Sequence, residues 1–226
     1  MKKKLYIQFE SNYFDKIINQ KRIEMIKLIK KKIKISNIND LLDIGTTEDV
    51  SAKSSNIFCK MLNIIPTHKS ISNQKITNTR FKVRKKKSIT SSFSQKEINL
   101  LKSDLVISSA TIEHVGSFKN QVKKVKNMIN LSKRYFIITT PNNHYPIEFH
   151  TKLPLIHWFP KKIYRKILLF LNMDYFANEK NLNLLSKKEL DNILCLFNKK
   201  IEYRIYEIKF LFFVSNFLAI CKIKNK

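Results

Sequence analysis

Three short stretches concentrate the residue types that can hold a charged small ligand and move a proton. The first is Asp43-Ile44-Gly45-Thr46-Thr47-Glu48-Asp49, a glycine and two hydroxyls set among carboxylates. A glycine there lets backbone approach a ligand closely, and the carboxylates favour a cationic one. The second stretch ends in Glu113-His114-Val115, and imidazole titrates near neutrality, which makes His114 a candidate general base. The third, Asn142 to His150, offers Glu148 and His150, with His157 beyond them. A lone histidine behind a strand serves equally well as a structural hydrogen-bonder, and Asp43 alone could be a turn residue.

Glycine scarcity sharpens the first stretch. Average usage predicts about 16 in a chain of this length, yet only Gly45 and Gly116 are present. Both follow a strand-like run, where a cofactor loop would lie. A dinucleotide would want G-x-G-x-x-G, because its pyrophosphate needs close backbone approach at a helix N-terminus. One glycine beside carboxylates argues against that, and no G-x-x-x-x-G-K-[ST] run exists for a nucleoside triphosphate.

The elements that must position these residues follow from periodicity. Phe14, Ile18, Ile23, Ile26, Ile29 and Ile33 form the apolar stripe of a helix over 14–35. Residues 38–44, 104–109 and 134–140 are apolar runs of buried-strand length, and 69–73 and 80–84 are weaker strand candidates. Between them, Ile57, Phe58, Met61 and Leu62 share a helical face closed by Pro66. Ser94-Gln95-Lys96-Glu97 and Ser186-Lys187-Lys188-Glu189 are capping boxes that open helices. Phe118, Val122, Val125 and Met128 step as a helical seam. Residues 201–210 and 212–223 read as a strand pair.

Strands alternating with helices predict a Rossmann-like, doubly wound, mostly parallel sheet with an antiparallel edge strand. Such sheets bind ligands at the carboxyl ends of their strands, which points to the loops after Asp43 and after Ser109. Four of the five prolines and the only tryptophan fall in 141–185. This segment is expected to be an insertion over the sheet edge, with Trp158 contributing packing. The chain divides into an N-terminal helical segment (1–37), a core (38–140), the insertion (141–185) and a closing helix with strand pair (186–226).

Leu41-Leu42-Asp43-Ile44-Gly45 resembles the first motif of class I S-adenosylmethionine (SAM)-dependent methyltransferases. Asp104-Leu105-Val106-Ile107-Ser108-Ser109-Ala110-Thr111-Ile112-Glu113-His114-Val115 resembles the fourth-strand motif of their small-molecule, type 11-like branch. The resemblance covers roughly residues 38–143 and implies a seven-stranded sheet with an insertion after strand 5. Carried over by residue, it implies that Asp43 anchors the methionine ammonium and Gly45 admits the cofactor. Thr46 and Thr47 would supply loop contacts, Asn73 would stand where the family has a ribose-binding acid, and Ser88 and Ile89 would flank the adenine. Ser109 and Ala110 would line the sulfonium side. Thr47 and Asp49 replace glycines usual in this loop.

The implied activity is methyl transfer to a small-molecule or glycan-like acceptor, with a lipid-linked or cell-surface saccharide as one form. The formal charge of +27 motivates a nucleic-acid acceptor instead. Only six of the 44 basic residues are Arg, however, and the Lys runs are short and scattered, as A/T-rich codons produce. No N-P-P-[YFW] run is present. The altered loop also suits a non-catalytic binding protein on the same fold. Cys59, Cys195 and Cys221 show no paired spacing, and no metal-ligand pattern is legible. No signal-like segment follows Met1, so a cytoplasmic location is expected, with peripheral contact at the inner membrane surface through 153–176, where apolar and basic residues mix.

Overall fold

The computed structural model describes residues 12–48, 57–62, 67–77, 79 and 81–224. Helix α1 (Asn12–Lys32) leads into β1 (Asp40–Ile44), α2 (Ile57–Leu62), β2 (Thr67–Ser72) and β3 (Phe81–Lys86). Then come α3 (Gln95–Leu101), β4 (Ser103–Ser109), α4 (Phe118–Leu131) and β5 (Ser132–Pro141). The insertion contributes α5 (Lys161–Phe170) and α6 (Asp174–Ala177), and α7 (Lys187–Cys195), β6 (Ile201–Phe210) and β7 (Phe213–Ile223) close the chain.

The strands form one seven-stranded sheet in the order β3-β2-β1-β4-β5-β7-β6. The first five are parallel, and β7 runs antiparallel to both of its neighbours. The antiparallel strand therefore lies one place in from the edge, and β6 forms the edge itself. Strand order reverses between β1 and β4, so the loops leaving these two strands diverge and open a crevice.

Alternating side chains build a core on each face. Leu42, Ile44, Val106, Phe136 and Ile138 meet Val125 and Met128 of α4 and Leu190, Ile193 and Leu194 of α7. On the other face Leu41, Leu105, Ile107 and Ile137 meet Ile26, Ile29 and Ile33 of the N-terminal segment and Phe58 and Leu62 of α2. Both capping boxes form, each with its serine accepting from the N–H of the glutamate three residues on while that carboxylate bonds back. Asp49 and Pro66 lie outside the described residues.

The insertion touches the edge strand through Tyr145, whose ring centroid lies 6.4 Å from that of Phe210. It packs over the carboxyl ends of the central strands β4 and β5, because its backbone bonds there. Asn183 N–H donates to the Glu113 carbonyl at 2.7 Å, and Asn143 N–H donates to the Leu185 carbonyl at 3.1 Å, joining the insertion's two ends just beyond β5. It carries a small core of its own, with Tyr164, Leu168, Phe176, Ala177, Leu182 and Leu184. Trp158 is not packed inside; it is 48% exposed.

Candidate functional site

Gly45 takes φ +87°, and a Cβ there would lie 2.3 Å from the Thr111 methyl carbon. Two independent causes thus demand glycine, a left-handed backbone and a side chain in its place. The close approach is made by the chain's own Thr111. Gly116, at φ +85°, faces the backbone of Lys180, whose Cα would stand 3.3 Å from an added Cβ. It admits the insertion and is not a cofactor-loop glycine.

Between the β1 and β4 ends lies a cleft of about 180 Å3, lined among others by Gly45, Thr46, Thr47, Asn73, Ile89 and His114. Six of the residues singled out from sequence therefore surround one space. Asp43 does not line it but sits directly beneath, buried, accepting from Thr46 Oγ1 at 2.7 Å. Burial pushes its carboxyl up to about 6, against the opposing pull of Thr46, Cys59 and Lys124. The loop is tied to the end of β2, where Ser72 Oγ donates to the Thr46 carbonyl at 2.7 Å.

Ser88, Ser109 and Ala110 stay outside the cleft lining. Ser88 Oγ bonds Thr90 Oγ1 at 2.8 Å. Thr139 Oγ1 donates to Ser109 Oγ at 3.2 Å. Ala110 adopts φ +47° and donates its N–H to the Thr139 carbonyl at 2.9 Å. Such a conformation costs a non-glycine residue about 1 kcal/mol or more. Here it turns the chain so that Thr111 crosses to Gly45 and a 3₁₀ turn, Ile112–His114, follows.

One residue of the site escaped the sequence analysis. Lys124 of α4 is fully buried, lines the cleft and donates to Thr111 Oγ1. Burial lowers its ammonium to about 7, against the attraction of Glu113 and Asp43. Its sequence signal was positional: Gln121, Lys124, Val125 and Met128 share the buried face of the helix.

Beyond the cleft, the three candidate proton-handling residues come together. His114 and His150 pack edge to face with centroids 4.8 Å apart. Glu148 Oε1 accepts from His150 Nδ1 at 2.6 Å and from its backbone N–H at 2.9 Å. Burial opposes ionisation of Glu148, yet His150 and the N–H groups of His150 and Thr151 bring it down to about 2. The same partnership raises His150 despite its burial, whereas burial and the nearby His150 lower His114. His157 belongs elsewhere, with Nε2 bonded to the Tyr145 carbonyl at 2.7 Å.

No family model and no curated protein sequence matches the chain. Solved structures do. The N-methyltransferase NodS from Bradyrhizobium japonicum WM9, in complex with S-adenosyl-L-homocysteine (SAH), superposes with TM-score 0.55 at 7% identity, over 90% of this chain and 87% of that one. Magnesium protoporphyrin IX methyltransferase from Synechocystis PCC 6803, with bound SAH, gives 0.53 at 9% identity over 96% and 90%. The methyltransferase domain of a bacterial Hen1 gives 0.56 at 12% identity over 92% and 100%.

The chain has the class I methyltransferase fold. Within a methyltransferase fold of this strand order, the Gly45 cleft lies at the switch point between β1 and β4. The histidine pair lies at the next position along the same sheet end, under the insertion.

Proposed function

We propose that this chain transfers a methyl group from SAM to a small-molecule or glycan-like acceptor held beneath the insertion. One observation carries the reading: His114 belongs both to the lining of the Gly45 cleft and to the polar group that includes His150 and Glu148. A donor site and an acceptor site thus share a wall. The donor set also fits. An α-amino acid end carries both charges, and the cleft offers Lys124 for a carboxylate, with Asp43 beneath Thr46 for an ammonium. Asn73 stands on the rim for ribose hydroxyls, and Ile89 offers an apolar wall for a base.

The bound cofactor would supply a methyl group already activated by its sulfonium. The chain's own task is then to align donor and acceptor and to exclude water. Small-ligand sites span roughly 300 Å3 or more, so the narrow cleft implies that Lys124 or Thr111 moves aside on binding. Calorimetry with SAM and with SAH tests the proposal directly. Micromolar binding of both is the expected result, and no heat from either at millimolar concentration would leave a non-catalytic binding protein on this fold.

The insertion also supports acceptors presented at a lipid surface. Ile163 and Phe170 of α5 are 47% and 86% exposed, at a spacing that places them with Lys166 on one helical face. Trp158 and Phe159 extend this exposed apolar surface, and Lys161 and Lys162 flank it. Among the described residues no helix is long and apolar enough to cross a membrane, so contact would be peripheral. Cosedimentation with anionic vesicles checks this: Phe170→Ser together with Trp158→Ser should abolish binding, and an unchanged pellet would remove the lipid-linked acceptor from consideration.

A further inference from the structure

The polar group under the insertion has the composition and the supports of a metal site. A carboxylate oxygen of Glu113 and ring nitrogens of His114 and His150 all lie within 4.8 Å of one another. Each of the three side chains is oriented by a separate contact. His114 Nδ1 lies 2.6 Å from the Asn181 carbonyl oxygen, which can only accept, so that nitrogen carries the proton. His150 Nδ1 likewise faces the Glu148 carboxylate at 2.6 Å. Thr140 Oγ1 donates to Glu113 Oε2 at 3.1 Å. A carbonyl or carboxylate behind each imidazole is the arrangement that fixes the tautomer of metal-bound histidine.

What these contacts leave over is one carboxylate oxygen, facing the two imidazoles. Glu113 is wholly buried, and its Oε1 has no hydrogen-bond partner. His150 Nε2 is 4.0 Å from it, too far for a hydrogen bond even if that nitrogen is protonated. An unpartnered buried carboxylate oxygen is costly to a fold. A cation between the three would satisfy it.

We propose that Glu113, His114 and His150 bind a divalent first-row transition-metal ion. Two imidazoles and one carboxylate suit zinc, cobalt, iron or manganese better than magnesium or calcium, which prefer all-oxygen sets. Ligand atoms on a tetrahedral ion stand roughly 3.4 Å apart, so side-chain shifts on the order of 1 Å complete the set. Glu148 and the Asn181 carbonyl act as positioning groups. Three protein ligands leave coordination open, and because His114 also lines the cleft, the open side adjoins the donor site. If the methyl-transfer proposal holds, an ion held there would stand beside the acceptor.

Cobalt(II) is the probe, added to the full chain after chelator treatment and without SAM, so the outcome does not depend on methyl transfer. A Cys195→Ser background removes the exposed thiol as a competing ligand. One Co2+ per chain is expected, displaced by zinc, with absorption in the visible region. Glu113→Gln and His150→Gln should each weaken binding at least tenfold, and Glu148→Gln should do so by about 10–100-fold. X-ray absorption of the wild-type complex should show two imidazoles and no sulfur, which settles the site even if a variant fails to fold. Absence of Co2+ binding by folded chain, sulfur ligation, or unchanged affinity in folded variants would overturn the proposal.

Discussion

The two ends of the parallel strands treat their carboxylates in opposite ways. At the amino end Asp40 takes a 2.8 Å ion pair from Lys69, a second from Lys133 at 3.3 Å, and the Asp104 N–H at 2.7 Å. Burial works against ionisation of Asp40, but these partners outweigh it and hold the carboxyl below its usual range. At the carboxyl end Asp43 is pushed up to about 6, and Glu113 keeps one oxygen without a hydrogen-bond partner. Asp40 and Asp43 are three residues apart on one strand. At the amino end the chain satisfies its carboxylate; at the carboxyl end burial outweighs the partners of Asp43, and one oxygen of Glu113 has none. Perturbed groups gathered beside a cleft are candidates for a functional site.

Four experiments break or sharpen this contrast. The largest effect is expected at Gly45→Ala, which combines a left-handed backbone with overlap on the Thr111 methyl. The loss should be about 3 kcal/mol by urea denaturation, and adding Thr111→Ser should recover part of it by removing that methyl. Next, Lys124→Met should weaken SAM binding about 20-fold, read by calorimetry, as expected for one charge-assisted contact of about 2 kcal/mol. The same variant should also lose stability, because it leaves the buried Asp43 and Glu113 carboxylates without their cation. Linkage gives its signature. The folded pKa lies below the unfolded one, so the unfolded chain holds more protons between about pH 7 and 10. Wild-type stability therefore rises across that window, and the variant should lack this rise.

A smaller effect should follow pH at Asp43. If its ionised form meets an ammonium, affinity for SAM should be about tenfold weaker at pH 5 than at pH 7, and Asp43→Asn should flatten the difference. The smallest effect belongs to the amino end. Asp40→Asn should cost about 1 kcal/mol of stability at neutral pH and leave SAM affinity unchanged. Since its folded pKa is depressed, the wild-type contribution is present above the unfolded value and fades as pH falls through the folded one. A change in cofactor affinity at Asp40 would mean that the two ends are not separate.

The contrast was half legible in the sequence. Strands β1, β4 and β5, both capping boxes and the closing strand pair follow from local chemistry, because continuous apolar runs and first-turn glutamates are written within a few residues. Gly45 was legible as a forced position, but the agent of that force, Thr111, lies 66 positions away and only pairing of β1 with β4 brings it near. Lys124 was hidden among Lys123 and Lys126, which its helix turns to solvent. In so lysine-rich a chain one inward lysine has no local mark. Glu113 and His150 meet only because residues 141–185 fold back over the central strands, and that path is set by Gly116 and Asn183 rather than by the residues it assembles.

Cooperativity is where the insertion's separate apolar cluster has its further consequence. Tyr164, Leu168, Phe176 and their neighbours form a nucleus independent of the two cores that flank the sheet. Its attachment runs largely through polar bonds around Glu113, Gly116 and Gln121. A unit held together inside but joined by hydrogen bonds should detach before the sheet melts, as a sub-global opening of lower free energy. Amide exchange would then find 156–184 releasing together, ahead of β4 and β5. That release would carry His150 away from Glu113.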